Sequence, residues 1–340
     1  MAKGIASYSY EGLQELMEQW GQPRFRAKQL VQWLYQRGAA SYDDMSNLPA
    51  ALRERLAKEA PLRRAAIVDK RNSSDGTRKY IVRFHDGTTA EMVAIPARGR
   101  LTVCFSTQVG CSMGCVFCAT GKEGFTRNLM PGEIVDQILL AQDDMGMRVT
   151  NLVGMGQGEP FLNYQNTLAA LRLINSPDGL NIGARKITVS TCGVLSGIEK
   201  FSHEPEQFGM AISLHSALQP TRDVLMPAMR KQSVAALKKA VHDYQEESGR
   251  RVTYEYVMID GINDDEDHLR AFIQFCRGTL CHVNLIPLNI VEGSVLQPST
   301  EETMQRFASE LEKRGIETTI RNSRGADIAG ACGQLKNQGR

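Results

Sequence analysis

Six short apolar runs alternate with helix-length amphipathic stretches from residue 101 onward. This alternation constrains the fold more than any other feature of the chain. The runs cover 101–105, 151–155, 186–190, 209–214, 252–258 and 282–288. Between them, apolar residues recur at helical spacing over 163–174, 233–247 and 264–276. Pro131 suits the first turn of another helix, and Ser299-Thr-Glu-Glu302 reads as a capping box before the last one. Strands alternating with helices predict a parallel sheet. Six units are too few for a complete eight-stranded barrel. The expected fold is therefore α/β, an open or partial (β/α)6 barrel with ligands at the C-terminal strand ends.

The front has a different texture. Helical spacing marks 10–20, 25–37 and 50–59, with apolar faces at Leu13/Leu16/Met17 and Leu30/Trp33/Leu34. Alternating runs at 79–84 and 88–95 flank Asp86-Gly87 and predict a β-hairpin. The expected division is a helical-plus-hairpin accessory domain over 1–96, a barrel core over 97–325 and a tail over 326–340.

Composition excludes several classes. The 340 residues are 42% hydrophobic and 23% charged, which excludes disorder, collagen and coiled coil as the main architecture. No apolar run reaches the ~18 residues of a membrane span, and residues 1–22 lack a signal-peptide core. A cytoplasmic protein is expected, with a monomer as the default state. The net charge of +2 averages opposite regions. Residues 1–100 carry 17 Lys and Arg against 11 Asp and Glu, whereas residues 101–340 carry 23 against 27. The last 28 residues carry six basic and two acidic side chains. Basic ends around an acidic middle suit phosphate contact, with Arg63, Arg64, Lys70 and Arg71 as front candidates.

The chemistry begins where the first barrel strand ends. Cys111, Cys115 and Cys118 form a C-x3-C-x2-C set within residues 104–118. Three thiolates on a short loop can hold three irons of a [4Fe-4S] cluster and leave the fourth open to a substrate. Gly110, Gly114 and Gly121 permit tight wrapping. The alternative is a structural zinc site, for which the second cysteine pair is missing and Cys104 is the nearby candidate.

This spacing, with an aromatic before the last Cys, resembles the signature of radical S-adenosylmethionine (SAM) enzymes, whose partial (β/α)6 barrel agrees with the six alternations. Over nearly its full length the chain resembles the RlmN/Cfr branch of radical SAM RNA methyltransferases. The matching residues are Glu91 before Ile95-Pro96, Cys104, the Cys111/Cys115/Cys118 triplet, Gly158-Glu-Pro160, Ser213-Leu-His215 and the 324–335 stretch around Cys332. The resemblance implies that Gly158, Glu159, Ser190, Ser213, Leu214, His215 and Asn289 bind SAM. Gln157, Leu288 and Gly330 depart from the usual pattern without removing a group the reaction needs.

The resemblance also implies a covalent route. Cys332 is methylated by one SAM, and a second SAM supplies the 5′-deoxyadenosyl radical. Glu91 accepts the ring proton, and Cys104 resolves the adduct through a transient disulfide with Cys332. The implied target is adenine carbon 2 in 23S rRNA (adenosine-2503) and in tRNA (adenosine-37), with an electron donor such as a flavodoxin. A Cfr-type carbon 8 methyltransferase shares the same cysteines, and Val109 favours carbon 2. A zinc-stabilised RNA-binding module is the reading from another class. Cys192, Cys276 and Cys281 are read as buried small hydrophobes.

Overall fold

The computed structural model describes residues 4–336. The front opens with helices Tyr10–Gln19, Phe25–Val31 and Ala50–Glu59. Each buries an apolar stripe: Leu13, Leu16 and Met17, then Leu30, then Leu52 and Leu56. Ser9 caps the first helix by accepting from the Gly12 N–H at 3.0 Å.

Three antiparallel strands follow: β1 (Ala66–Asn72), β2 (Arg78–Arg83) and β3 (Thr89–Ala97). Next come β4 (Arg100–Cys104), then β5 (Gln108–Gly110) and β6 (Phe125–Asn128), which pair with each other in a small ribbon. The rest are β7 (Asn151–Gly154), β8 (Ile187–Thr191), β9 (Gly209–Ser213), β10 (Val252–Met258), β11 (Cys281–Pro287) and β12 (Glu317–Ile320). One ten-stranded sheet runs in the order β1-β2-β3-β4-β7-β8-β9-β10-β11-β12. Strands β4 and β7 to β12 are parallel and make the partial barrel.

The six expected strands are present, and β12 adds a seventh. Its sequence, Glu-Thr-Thr-Ile, has little apolar signal because it is the edge strand and only half buried. Strand β1 has a weak signal for the same reason: it is the opposite edge, with most of its residues exposed. The sheet is continuous across residue 96, where β3 turns into β4 with Pro96 opposite Leu101.

Helices Pro131–Met145, Tyr164–Asn175, Leu195–Ser202, Val234–Ser248, Glu266–Cys276 and Glu301–Glu312 alternate with the parallel strands. Their starts follow local chemistry. Pro131 occupies the first turn, and Glu133 accepts from the Met130 N–H at 2.8 Å. The capping expected at Ser299 falls one residue later. Thr300 accepts from the Thr303 N–H, while the buried Ser299 hydroxyl donates to Asp264 at 2.7 Å.

The front and barrel are tied by charge. Arg64 pairs with the buried Asp136 at 2.6 Å. Lys70 and Arg78 each meet Asp144 at 2.7 Å. Arg64 and Lys70 are therefore struts to helix Pro131–Met145 rather than open phosphate contacts, which corrects two of the four front candidates.

Candidate active site

The C-terminal ends of the parallel strands open into a cavity of about 670 Å³. Cys104, Met155, Ser190, Ser213, Asn289 and Cys332 form part of its wall. Parallel strands put these residues at one end because every strand points the same way.

Cys111, Cys115 and Cys118 also face this cavity, as free thiols on the loop between β5 and the helix Ala119–Glu123. Close backbone approach forces the glycines. A Cβ at Gly110 (φ +75°) would lie 2.0 Å from the Gly124 carbonyl oxygen, and one at Gly121 would lie 2.9 Å from the Cys115 nitrogen. Burial pushes the Cys111 thiol up to about 11, with Cys118 and Glu159 as like-charged neighbours. Burial raises Cys115 as well, reinforced by Cys118 and Cys111. A bound cation among the cysteines favours their thiolate forms.

The donor set bears on the two metal readings. Three free thiols share one short loop and one cavity wall, which suits a cluster bound at three corners, whereas a structural zinc site closes with four ligands.

The residues assigned to SAM by resemblance gather beside this loop, with one exception. Gly158 has φ +98°, and a Cβ there would strike the Gln108 side chain at 2.5 Å. Glu159 is buried, and its carboxylate accepts from the Phe161 N–H at 3.0 Å and the Cys192 N–H at 2.8 Å. Burial pushes its carboxyl up, against the hydrogen bonds from Cys192. The Ser190 and Ser213 hydroxyls lie 3.3 Å apart across adjacent strands. Leu214 differs: its side chain is fully buried in the core, and its carbonyl accepts from Arg222.

His215 is held in a left-handed conformation (φ +56°) with its ring edge-on to Phe117 of the cysteine loop, 4.8 Å between centroids. Its Nδ1 accepts from the Val257 N–H at 3.1 Å. Burial, and then the Arg222 charge, lower its pKa to about 3. A neutral ring whose Nδ1 accepts carries its proton on Nε2, so this side chain is a donor.

The tail is docked over the same cavity. Asn289 donates to the Cys332 carbonyl at 3.1 Å, and the Ala119 N–H donates to Gly333 at 2.7 Å. Thr120 donates to the Leu335 carbonyl at 2.6 Å. Cys332 is exposed to the cavity, yet the surrounding protein raises its thiol, as do Glu255 and Cys118. Cys104 is buried at the end of β4, where burial and then the Cys332 charge raise it. Leu335 packs with Cys104 and Val93.

Glu91 is fully buried on β3, on the same face as Val93 and Ile95, which line the cavity. The tail covers it: the Lys336 N–H donates to its Oε2 at 2.9 Å. Burial raises its carboxyl pKa, and Lys79 opposes that rise.

Four residues here were not assigned to the site from the sequence. Lys79, 2% exposed, pairs with Glu91 at 3.3 Å. Gln157 accepts from the Glu91 N–H at 3.1 Å, which gives a positional role to a residue that departs from the usual pattern. Cys192 is buried as expected, but it is more than a small hydrophobe, because its thiol donates to Glu159 at 2.8 Å. The buried Arg222 donates to the carbonyls of Cys192, Ser213 and Leu214, tying the ends of two strands together. The i, i+2 alternation of β2 and β3 could have flagged Lys79 as an inward-facing charge. The others depend on contacts distant in sequence.

Known proteins share this arrangement. Residues 105–273 match the radical SAM superfamily, and residues 4–62 match a ribosomal RNA large subunit methyltransferase N-terminal domain. A probable dual-specificity RNA methyltransferase RlmN from Symbiobacterium thermophilum is 44% identical over 98% of this chain and 91% of its own. The chain belongs to the RlmN family of the radical SAM superfamily. A protein of the same description from Synechococcus elongatus is 43% identical over 98% of this chain and 94% of its own. The crystal structure of a radical SAM methyltransferase from Sphaerobacter thermophilus is 42% identical, with a TM-score of 0.92 over 98% of this chain and 99% of that one. Membership implies SAM and an iron–sulfur cluster. Among the described residues, no helix is long and apolar enough to cross a membrane.

Proposed function

We propose that the chain methylates carbon 2 of adenosine in RNA, with 23S rRNA and tRNA as substrates, in the cytoplasm. The observation that carries this reading is Cys332 on a docked tail, lining the same cavity as Cys104 and the cysteine loop. An sp² ring carbon is a poor nucleophile, so a covalent route through a protein thiol divides the task.

Cys111, Cys115 and Cys118 would hold a [4Fe-4S] cluster, with Glu159, Ser190, Ser213, His215 and Asn289 beside it for SAM. When bound, the cluster supplies the electron that cleaves SAM to methionine and a 5′-deoxyadenosyl radical. The chain's own residues do the rest. Cys332 accepts a methyl group on sulfur; that carbon gives up one hydrogen atom to the 5′-deoxyadenosyl radical and bonds to the base, and the adduct then gives up one electron. Glu91, as carboxylate, takes the ring proton and becomes neutral. Cys104, as thiolate, attacks the Cys332 sulfur; the sulfur–carbon bond breaks as the Cys104–Cys332 disulfide forms, and the released carbon takes up a proton to become the methyl group of the base. A two-electron reductant then restores both thiols.

Mass spectrometry of nucleosides tests the proposal. Reconstituted protein, SAM, a flavodoxin-type or chemical reductant and either RNA should yield 2-methyladenosine. Formation of 8-methyladenosine instead would make it the carbon 8 enzyme, and the absence of both would end the methyltransferase reading.

A further inference from the structure

The front hairpin holds the tail on both sides of Cys332. Lys79, from β2, donates its ammonium to the Ala329 carbonyl at 3.2 Å, three residues before Cys332. Glu91, from β3, accepts from the Lys336 N–H at 2.9 Å, four residues after it. The two side chains pair with each other at 3.3 Å, at 2% and 0% exposure. Ala329 itself is left-handed, with φ +52°, a conformation an alanine adopts only when its surroundings hold it there. Glu91 Oε1 meets the Lys79 ammonium at 3.3 Å, and Oε2 meets it at 3.4 Å. The ion pair therefore joins the tail to the carboxylate, with both carboxylate oxygens facing the Lys79 ammonium and Oε2 also holding the Lys336 N–H. The other charges acting on this pair are Arg71 of β1, Lys336 of the tail and Glu123 of helix Ala119–Glu123.

We propose that Lys79 is a positioning residue that couples docking of the Cys332 tail to the readiness of Glu91. With the tail docked, Lys79 bonds Ala329 and pairs with Glu91, and the carboxylate is closed off by Leu335 and Lys336. When the tail withdraws to deliver the Cys332 carbon, Glu91 loses the Lys336 N–H and opens toward the cavity. Lys79 then stays beside it as a counter-charge that opposes the rise burial imposes on the carboxyl. In the step this pair serves, the ring proton passes from the adenine carbon to Glu91, and Lys79 itself transfers none. This inference rests on the methyltransferase reading for the role of Glu91, but not for the docking of the tail.

Hydrogen exchange on the full-length protein, read by peptide mass spectrometry, tests the docking directly and needs no turnover. Lys79→Met should make peptides spanning 325–336 exchange at least about tenfold faster, because a charged hydrogen bond to the tail is removed. Lys79→Arg should restore protection. The double variant Lys79→Met/Glu91→Gln leaves no unpaired buried charge and so guards against simple misfolding; it should show the same fast exchange. Unchanged exchange in both Met-containing variants overturns the proposal. In turnover, Lys79→Met should lower kcat with the KM for RNA unchanged. A raised KM at unchanged kcat would make Lys79 an RNA contact and overturn the positioning role. A wild-type protein whose tail is protected but which methylates neither RNA would remove the functional reading alone.

Discussion

Asn289 donates its side-chain amide to the carbonyl of Cys332 at 3.1 Å. A residue that resemblance gives to SAM thus also helps fasten the tail carrying Cys332 to the cavity wall. Asn289→Ala is expected to weaken SAM binding by roughly 3- to 10-fold, the loss of one hydrogen bond. It should also speed amide exchange around Cys332. Anaerobic equilibrium dialysis with SAM and exchange mass spectrometry measure the two effects. Loss of one without the other would separate the two duties.

Each of Cys111→Ala, Cys115→Ala and Cys118→Ala should abolish bound iron and sulfide together with the brown absorbance. Cys276→Ala should keep them, because Cys276 is buried in the core away from the cavity. Iron and acid-labile sulfide assays decide this. A variant lacking one of the three that still holds a full complement would displace that residue from the ligand set.

Cys104→Ala should arrest turnover with protein joined to RNA through Cys332, since the resolving thiol is gone. Denaturing gels of reactions with labelled RNA would show the adduct. Normal turnover by this variant contradicts the role proposed for Cys104.

His215 gives a pH dependence with a definite sign. Its folded pKa is about 3 against an ordinary value of 6.5. Between these values the unfolded chain binds a proton that the folded chain does not. Stability is unaffected by this group above 6.5 and falls as pH drops toward 3, by up to about 1.4 kcal/mol per pH unit. His215→Asn, a residue that tolerates the left-handed backbone, should flatten that slope. Urea midpoints of cluster-free protein at pH 7.5 and pH 5 measure it, and equal slopes would mean that the ring is protonated in the fold.

RNA binding is expected at the cavity mouth. Arg100 and Arg321 are exposed there and line the opening, whereas Arg64 and Lys70 are committed to Asp136 and Asp144. Arg100→Glu and Arg321→Glu should weaken binding and lower the salt slope by about one for each phosphate no longer neutralised. Arg64→Glu should destabilise the fold instead, because it leaves a buried carboxylate without its partner. Filter binding over a salt series, alongside thermal unfolding, separates the two effects.

What the sequence carried was local. Strands β4 and β7 to β11 were legible because buried parallel strands read as apolar runs. Cys111, Cys115 and Cys118 were legible because a cluster needs thiols at short, fixed spacing. Edge strands β1 and β12 were not legible, because an edge strand need not be apolar on both faces.

Tertiary structure decided which distant residues meet. Nothing near Lys79 in the sequence marks it as the partner of both Glu91 and Ala329. Nothing near Cys192 marks its thiol as a donor to Glu159. The front hairpin reaches the tail only because β3 continues the barrel sheet through β4, which places residues 79, 91 and 329–336 at one spot. Spacing along the chain specifies which thiols can share one metal group, because that geometry closes within a few residues. The pairing of a buried lysine with a carboxylate and a distant tail closes only when the sheet has formed, because burial creates the need for a partner and the fold alone supplies it.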